Sequence, residues 1–218
     1  MTEAVVFDMD GVLIDSEYTY LESKTEILRD AGFPKPVSYQ YQFMGTTYEF
    51  MWQVMKNELG LPEPIEYYMD EMKKRRQAVI AKDGVRPING AVELVRRIHA
   101  AEIPLAVASS SPKSDILQAL TALGIDDCFD KLVSGEEVAH SKPAPDVYLE
   151  AARQLGIAPE NCLAFEDTKN GSRSAKAAGM YVIGFANPDY PVQDLSAADE
   201  VVKNYDALSA EILQRKIK

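Results

Sequence analysis

The sequence predicts an α/β fold, a parallel sheet with helices on both faces and a helical lobe inserted after the first strand. Short apolar runs return along the chain at Ala4 to Phe7, Ile103 to Ala108, Leu132-Val133, Cys162 to Phe165, Tyr181 to Phe185 and Val201-Val202. Between the later runs lie stretches whose apolar residues recur at helical spacing, Ile116 to Leu123, Val147 to Leu155 and Ser172 to Ala178. From about Ile14 to Gly84, by contrast, the sequence carries helical patterns without a convincing strand. Strands alternating with helices imply a parallel sheet, because parallel neighbours need a crossover connection and the crossovers cover its faces.

The run Ala4-Val5-Val6-Phe7 has no polar alternation, so it reads as a strand buried on both faces, and it stops at Asp8. Helical patterns follow over Tyr18 to Ala31, Thr47 to Leu59 and Ile65 to Ala81, punctuated by Gly32-Phe33-Pro34 and Gly60-Leu61-Pro62. These make residues 15–84 a helical cap and residues 1–14 with 85–218 the α/β core, joined by crossings near Ile14-Asp15-Ser16 and Asp83 to Pro87. The cap is expected over the carboxyl edge of the sheet, where such sheets bind ligands. Polar clusters fall at those strand ends: Asp8-Met9-Asp10-Gly11 after the first run, Ser109-Ser110-Ser111 after the second and Glu166-Asp167 after the fourth.

With 218 residues, 46% hydrophobic and 26% charged, the chain is long enough for a buried core plus an inserted lobe, and collagen-like, coiled-coil and low-complexity classes drop out. The formal net charge of −11 repels a phosphate backbone, which disfavours nucleic acid and anionic membranes as partners. Any phosphate must therefore be held by local groups. The two cysteines, Cys128 and Cys162, are too few for a disulfide framework and read as buried thiols of a reducing compartment. The first residues lack the basic flank of a signal peptide and no run approaches the ~20 apolar residues of a membrane span, so a cytoplasmic protein is expected.

Asp8 and Asp10 stand two apart where the first strand ends, and the period of a strand puts both carboxylates on one side. Two such charges repel unless a cation or a shared proton separates them. Alone, Asp-x-Asp-Gly is an acidic turn. Glu166-Asp167 adds a second acidic pair at another strand end, and two such pairs suit a hard divalent ion such as Mg²⁺. Ser109 to Ser111, followed by Pro112 at an expected helix start, offers hydroxyls and free N–H groups to an anion. Lys142, presented by Pro143-Ala144-Pro145, supplies the positive charge that a nucleophilic carboxylate and a bound phosphate both require.

In order and spacing, Asp8-Met9-Asp10-Gly11-Val12-Leu13-Ile14-Asp15-Ser16-Glu17, Ser109, Lys142-Pro143-Ala144-Pro145-Asp146 and Phe165-Glu166-Asp167 resemble the four motifs of the haloacid dehalogenase (HAD) superfamily. The match is to its helical-cap phosphatase and β-phosphoglucomutase-like branch, which has a Rossmann-like core. The resemblance implies that Asp8 is a nucleophile forming an aspartyl-phosphate, and that Asp10 is the general acid and then the base. It implies Mg²⁺ on Asp8, the backbone carbonyl of Asp10 and Asp167, with Glu166 as ligand or close behind. Ser109, Ser110 and Lys142 would bind the phosphoryl oxygens. Dehalogenases of the superfamily lack an acid/base carboxylate two residues after the nucleophile, so Asp10 argues for phosphate chemistry.

The mutase members carry a histidine on the first cap helix, then a basic residue before a cap-loop glycine and an arginine three positions after it. Tyr20, Met44 and Tyr48, around Gly45, occupy those places here, and Tyr20, Gly45 and Tyr48 are the candidate specificity residues. Without a bidentate arginine the grip on a second phosphate is weakened. The expected function is Mg²⁺-dependent hydrolysis of a small, sugar-like phosphomonoester by a monomer. The alternatives are a β-phosphoglucomutase and a catalytically silent binding protein. Lys73-Lys74-Arg75-Arg76 reads as a solvated helix face, His140 as an incidental loop residue and His99 as structural.

Overall fold

The computed structural model describes residues 2–44, 46–206 and 208. The chain forms two compact units, Met1–Asp15 with Val85–Lys218, and Ser16–Gly84.

The larger unit is built on six parallel strands: β1 (Ala4–Phe7), β2 (Leu105–Ser109), β3 (Lys131–Ser134), β4 (Cys162–Glu166), β5 (Tyr181–Phe185) and β6 (Glu200–Val202). Their order in the sheet is β3-β2-β1-β4-β5-β6, so the first strand lies in the middle. Every residue of β1 is buried, as its unbroken apolar run requires. Alternation along the strands sorts the core into two faces. Val5 and Phe7 join Leu105, Val107, Leu163, Phe165 and Ile183 in one cluster, packed under α4 (Ala91–Ala100) and α5 (Lys113–Leu123). Ala4 and Val6 join Ala106, Ala108, Val133 and Ala164 in the other, under α6 (Asp146–Leu155) and α7 (Lys169–Ala177). The alanines on that second face leave room for Val147, Tyr148, Ala151 and Ala152 of α6 to pack against the sheet. On the first face Phe7 stacks on Phe165 with ring centroids 4.7 Å apart.

This register sets up the site. Val5 pairs with Leu105 and Leu163, and Phe7 with Val107 and Phe165, so Asp8, Ser109 and Glu166-Asp167 emerge together at the carboxyl ends of β1, β2 and β4. Strand order reverses at β1, where chain continuing to β2 and β3 goes one way and β4 lies on the other side. Open α/β sheets bind ligands at such a switch point.

The smaller unit holds α1 (Glu17–Asp30), a 3₁₀ segment at Val37–Phe43, α2 (Tyr48–Leu59) and α3 (Ile65–Asp83). Its core is Ile27, Leu28, Met51, Trp52, Met55, Tyr68 and Met72, with Trp52 stacked on Tyr68 at 5.1 Å. The Thr47 hydroxyl caps α2 by accepting from the Phe50 N–H, and Gly60 ends it at φ +70°, a left-handed conformation that costs glycine little.

Strands and helices fall where the apolar pattern places them, with shifts at the ends. Pro112 is the N-cap residue of α5, with extended ψ, instead of its first helical residue. Cys128 and Cys162 are free, buried thiols. Among the described residues no helix is long and apolar enough to cross a membrane.

Candidate active site

After β1 the chain makes a tight turn in which the Met9 carbonyl accepts from the N–H groups of Val12, Leu13 and Ile14, and the Gly11 N–H donates to Ile14. Gly11 sits at φ +79°, and a methyl group there would overlap the Asp167 carboxylate. The glycine therefore serves both the turn and the close approach of a second acidic strand end. The turn carries Asp8, buried, and Asp10, half-buried, whose Oδ2 accepts from the Ser111 hydroxyl at 2.9 Å.

Lys142 comes from the loop before α6, next to a cis peptide bond to Pro143. Its ammonium donates to Asp8 Oδ1 at 2.7 Å, Glu166 Oε1 at 2.6 Å and the Ala108 carbonyl at 3.0 Å, and lies 3.3 Å from the Tyr148 hydroxyl. Glu166 is saturated. Its Oε1 accepts from Lys142 and from Tyr148 at 2.8 Å, while Oε2 accepts from the backbone N–H groups of Asp167 and Thr168 and from the Thr168 hydroxyl.

Burial is the largest influence on the carboxylates. It pushes the Asp8 pKa up to about 7, with the Lys142 charge opposing and those of Glu166 and Asp10 adding to the rise. Asp167 is held well above the ordinary range by burial and then by the charges of Glu166 and Asp8. For Lys142, burial lowers the pKa, yet the carboxylates of Asp8 and Glu166 outweigh it and keep the ammonium charged beyond its ordinary range.

Three carboxylates, Asp8, Glu166 and Asp167, have oxygens within 4.8 Å of one another. Asp167 Oδ1 is buried without a hydrogen-bond partner, an arrangement that favours a cation on that oxygen. A hard divalent ion such as Mg²⁺ fits there, because its charge would offset the burial and, after it, the carboxylate repulsion that raise Asp8 and Asp167. Glu166 has little lone-pair capacity left for it, since five donors already engage its two oxygens. The Asp10 carboxylate stands outside this cluster and is held by Ser111.

Ser109, at the end of β2, is buried and its Oγ accepts from the Ser111 N–H at 3.1 Å, whereas Ser110 is exposed. Ser134 ties down the same loop by donating to the Ser111 carbonyl at 2.7 Å. The turn after β1, the loop after β2, Lys142 and the end of β4 thus converge. Tyr20 and Tyr48 stack on each other in the helical unit at 5.3 Å, and Gly45 lies outside the described residues. His140 is exposed and pairs with Asp146. His99 is exposed on α4. In the Lys73 to Arg76 run, Arg75 pairs with Asp30 at 2.7 Å and Lys74 with Glu71, while Arg76 lies 3.3 Å over the Tyr20 ring. Sequence reasoning misses Tyr148 and Thr168. Tyr148 reads as one more inner-face residue of α6. Thr168 had a usable signal, since it caps α7 by accepting from the Gly171 N–H directly after Glu166-Asp167.

Three carboxylates and a buried lysine thus gather at the switch point of the parallel sheet, an arrangement suited to an anionic group. The model of the haloacid dehalogenase-like hydrolases matches residues 5–185. The chain is 30% identical over 178 residues, 82% of each protein, to the phosphorylated carbohydrates phosphatase of Thermotoga maritima. It is 32% identical over 179 residues to the fructose-1-phosphate phosphatase of Escherichia coli, covering 81% of this chain and 92% of that one. Among solved structures, a HAD family hydrolase of Deinococcus radiodurans with bound phosphate and sodium superposes with a TM-score of 0.84 at 29% identity, covering 97% of this chain and 95% of that one. The chain belongs to the haloacid dehalogenase-like hydrolase family and is a phosphatase of that family.

Proposed function

We propose that the protein is a Mg²⁺-dependent hydrolase of small, sugar-like phosphomonoesters that works through an aspartyl-phosphate on Asp8. The observation that carries this reading is Asp8 itself: a buried carboxylate at the end of the central strand, paired with Lys142 at 2.7 Å and beside the orphaned oxygen of Asp167. Asp8 and Asp167, with the backbone carbonyl of Asp10, would hold Mg²⁺, which when bound supplies charge neutralisation for carboxylate and phosphate.

Asp8 attacks phosphorus in line, the bond to the ester oxygen breaks, and Asp10 gives that oxygen its proton. Asp10, now ionised, takes a proton from water as the water attacks the phosphoryl group, which releases inorganic phosphate and restores Asp8. Lys142 offsets the repulsion between Asp8 and the incoming dianion, and Ser109 and Ser110 bind phosphoryl oxygens alongside it. Glu166, engaged by five donors, fixes Lys142 in place without touching substrate. The phosphorylated-carbohydrate and fructose-1-phosphate phosphatases among the relatives support a sugar-like substrate. Tyr20 and Tyr48 are proposed as specificity residues.

The test is Mg²⁺-dependent phosphate release from a panel of phosphomonoesters, for the wild type and Asp8→Asn, with a parallel assay of glucose 6-phosphate formation from β-glucose 1-phosphate. Phosphate release that Asp8→Asn abolishes supports the proposal. Full activity in that variant refutes the nucleophile, and isomerisation outpacing hydrolysis refutes the hydrolase in favour of the mutase.

A further inference from the structure

Tyr205, in the segment after β6, is fully buried beneath the strand ends that form the site. Its ring stacks on Phe185 with centroids 4.5 Å apart and meets Phe165 edge-on at 5.8 Å, and Phe165 stacks on Phe7. Phe7 and Phe165 immediately precede Asp8 and Glu166. As apolar filling of this cluster a phenylalanine would serve equally well. The hydroxyl is the part that packing leaves unexplained.

That hydroxyl donates to the Val12 carbonyl at 3.0 Å, joining positions 193 apart in sequence. Val12 is buried and lies in the turn after β1, two residues beyond Asp10. The bonds from the Val12, Leu13 and Ile14 N–H groups to the Met9 carbonyl close this turn on itself without tying it to the rest of the unit. It is held from outside at two successive carbonyls, Leu13 by the Ile88 N–H at 2.9 Å and Val12 by Tyr205, the nearer of the two to Asp10. Tyr205 is anchored in turn by Arg97 of α4, which donates to its carbonyl at 3.3 Å. Without the phenol a buried carbonyl loses its partner, and the turn has to shift to find another. Gly11 already lies against the Asp167 carboxylate, so the shift has no room on that side, and Asp10 moves with it away from the Ser111 hydroxyl that now holds it at 2.9 Å.

We propose that Tyr205 is a positioning residue of the reaction: by bonding the Val12 carbonyl it fixes the turn so that the Asp10 carboxyl faces the ester oxygen to which it gives its proton as the P–O bond breaks. Tyr205 itself touches no substrate. The proposal rests on the acid role given to Asp10 above.

The experiment compares kcat/KM for phenyl phosphate and 2,4-dinitrophenyl phosphate, with Mg²⁺ present, in the wild type, Tyr205→Phe and Asp10→Ala, and follows backbone amide exchange in the wild type and Tyr205→Phe. Phenolate leaves poorly and needs a proton, whereas dinitrophenolate leaves without one, so the pair reads the acid step and not the general health of the enzyme. The expected result for Tyr205→Phe is a fall of about tenfold or more with phenyl phosphate and under about twofold with the dinitrophenyl ester. The Leu13 and Ile14 amides should also exchange about tenfold faster relative to those of β1. An equal fall with both esters, no fall with either, or unchanged exchange at Leu13 and Ile14 in the folded variant overturns the proposal. If Asp10→Ala treats the two esters alike, the acid role of Asp10 fails and the proposal with it; if Asp10→Ala discriminates and Tyr205→Phe does not, only the positioning inference fails. Should Tyr205→Phe not fold, Tyr205→Met removes the same hydroxyl, and the wild type alone still decides: Leu13 and Ile14 amides as slow as those of β1 support a tethered turn, and amides as fast as those of exposed loops overturn it.

Discussion

Replacing Lys142 with methionine isolates what the buried ammonium does. Its side chain is 8% exposed and is the cation in reach of both Asp8, at 2.7 Å, and Glu166, at 2.6 Å. Methionine keeps most of the volume and removes the charge, which leaves two carboxylates facing each other in a buried site. Breaking a buried ion pair on one side costs about 3–5 kcal/mol, and that is the expected loss in metal-free protein near pH 8. The sign of the pH dependence follows from the shifts. Lys142 is raised, so its contribution is complete below its unfolded pKa and constant across neutral pH. Asp8 is raised to about 7, so the folded state is favoured below its unfolded pKa and loses that advantage as pH rises through about 7. Without the ammonium the Asp8 carboxyl rises further, and the gap between variant and wild type should widen from near pH 5 to near pH 8. Urea unfolding in EDTA at both pH values measures this, provided the m-values agree. A loss under about 1 kcal/mol near pH 8, or the same loss at both pH values, would refute the view that Lys142 offsets buried carboxylate charge. Activity in the presence of Mg²⁺ should fall by about 10²–10³, the usual cost of removing one donor to a developing oxyanion.

Two further substitutions probe what surrounds Glu166. In Gly171→Ala the added methyl overlaps the Glu166 carboxylate, so overpacking of about 1–3 kcal/mol should exceed the ~1 kcal/mol that alanine gains over glycine in a helix; a net rise in thermal stability would contradict the packing described. Tyr148→Phe removes the 2.8 Å hydrogen bond to Glu166 and should cost about 1.5–3 kcal/mol in urea unfolding, with kcat reduced and KM little changed because the phenol holds Lys142 and Glu166 and does not reach substrate. An effect confined to KM would place Tyr148 in the binding surface instead.

Much of the fold was legible because its signals are local. A strand buried on both faces has to be apolar throughout, and Ala4 to Phe7 and Tyr181 to Phe185 read as strands on that ground alone. The charged positions at strand ends were legible for a related reason, since an apolar run that halts at Asp8 or at Glu166-Asp167 marks both the end of a strand and a polar edge. The relation between those charges was not. Nothing in a linear pattern shows that Glu166 spends its oxygens on Lys142, Tyr148 and Thr168, which separates it from Asp167 beside it, whose Oδ1 is left over. Tyr148 escaped because an inward tyrosine on an amphipathic helix looks like packing until its hydroxyl is placed.

The ion pair between Lys142 and Asp8 joins residues 134 positions apart, and the hydrogen bond between Ser111 and Asp10 spans 101. No segment of the chain carries a working fraction of this centre, because the groups converge only after β1 has found β2 on one side and β4 on the other. With Asp8 and Lys142 in the roles proposed for them, activity is expected to return in refolding only after the longest loops have closed, and helix content, formed from neighbours in sequence, is expected to recover ahead of it.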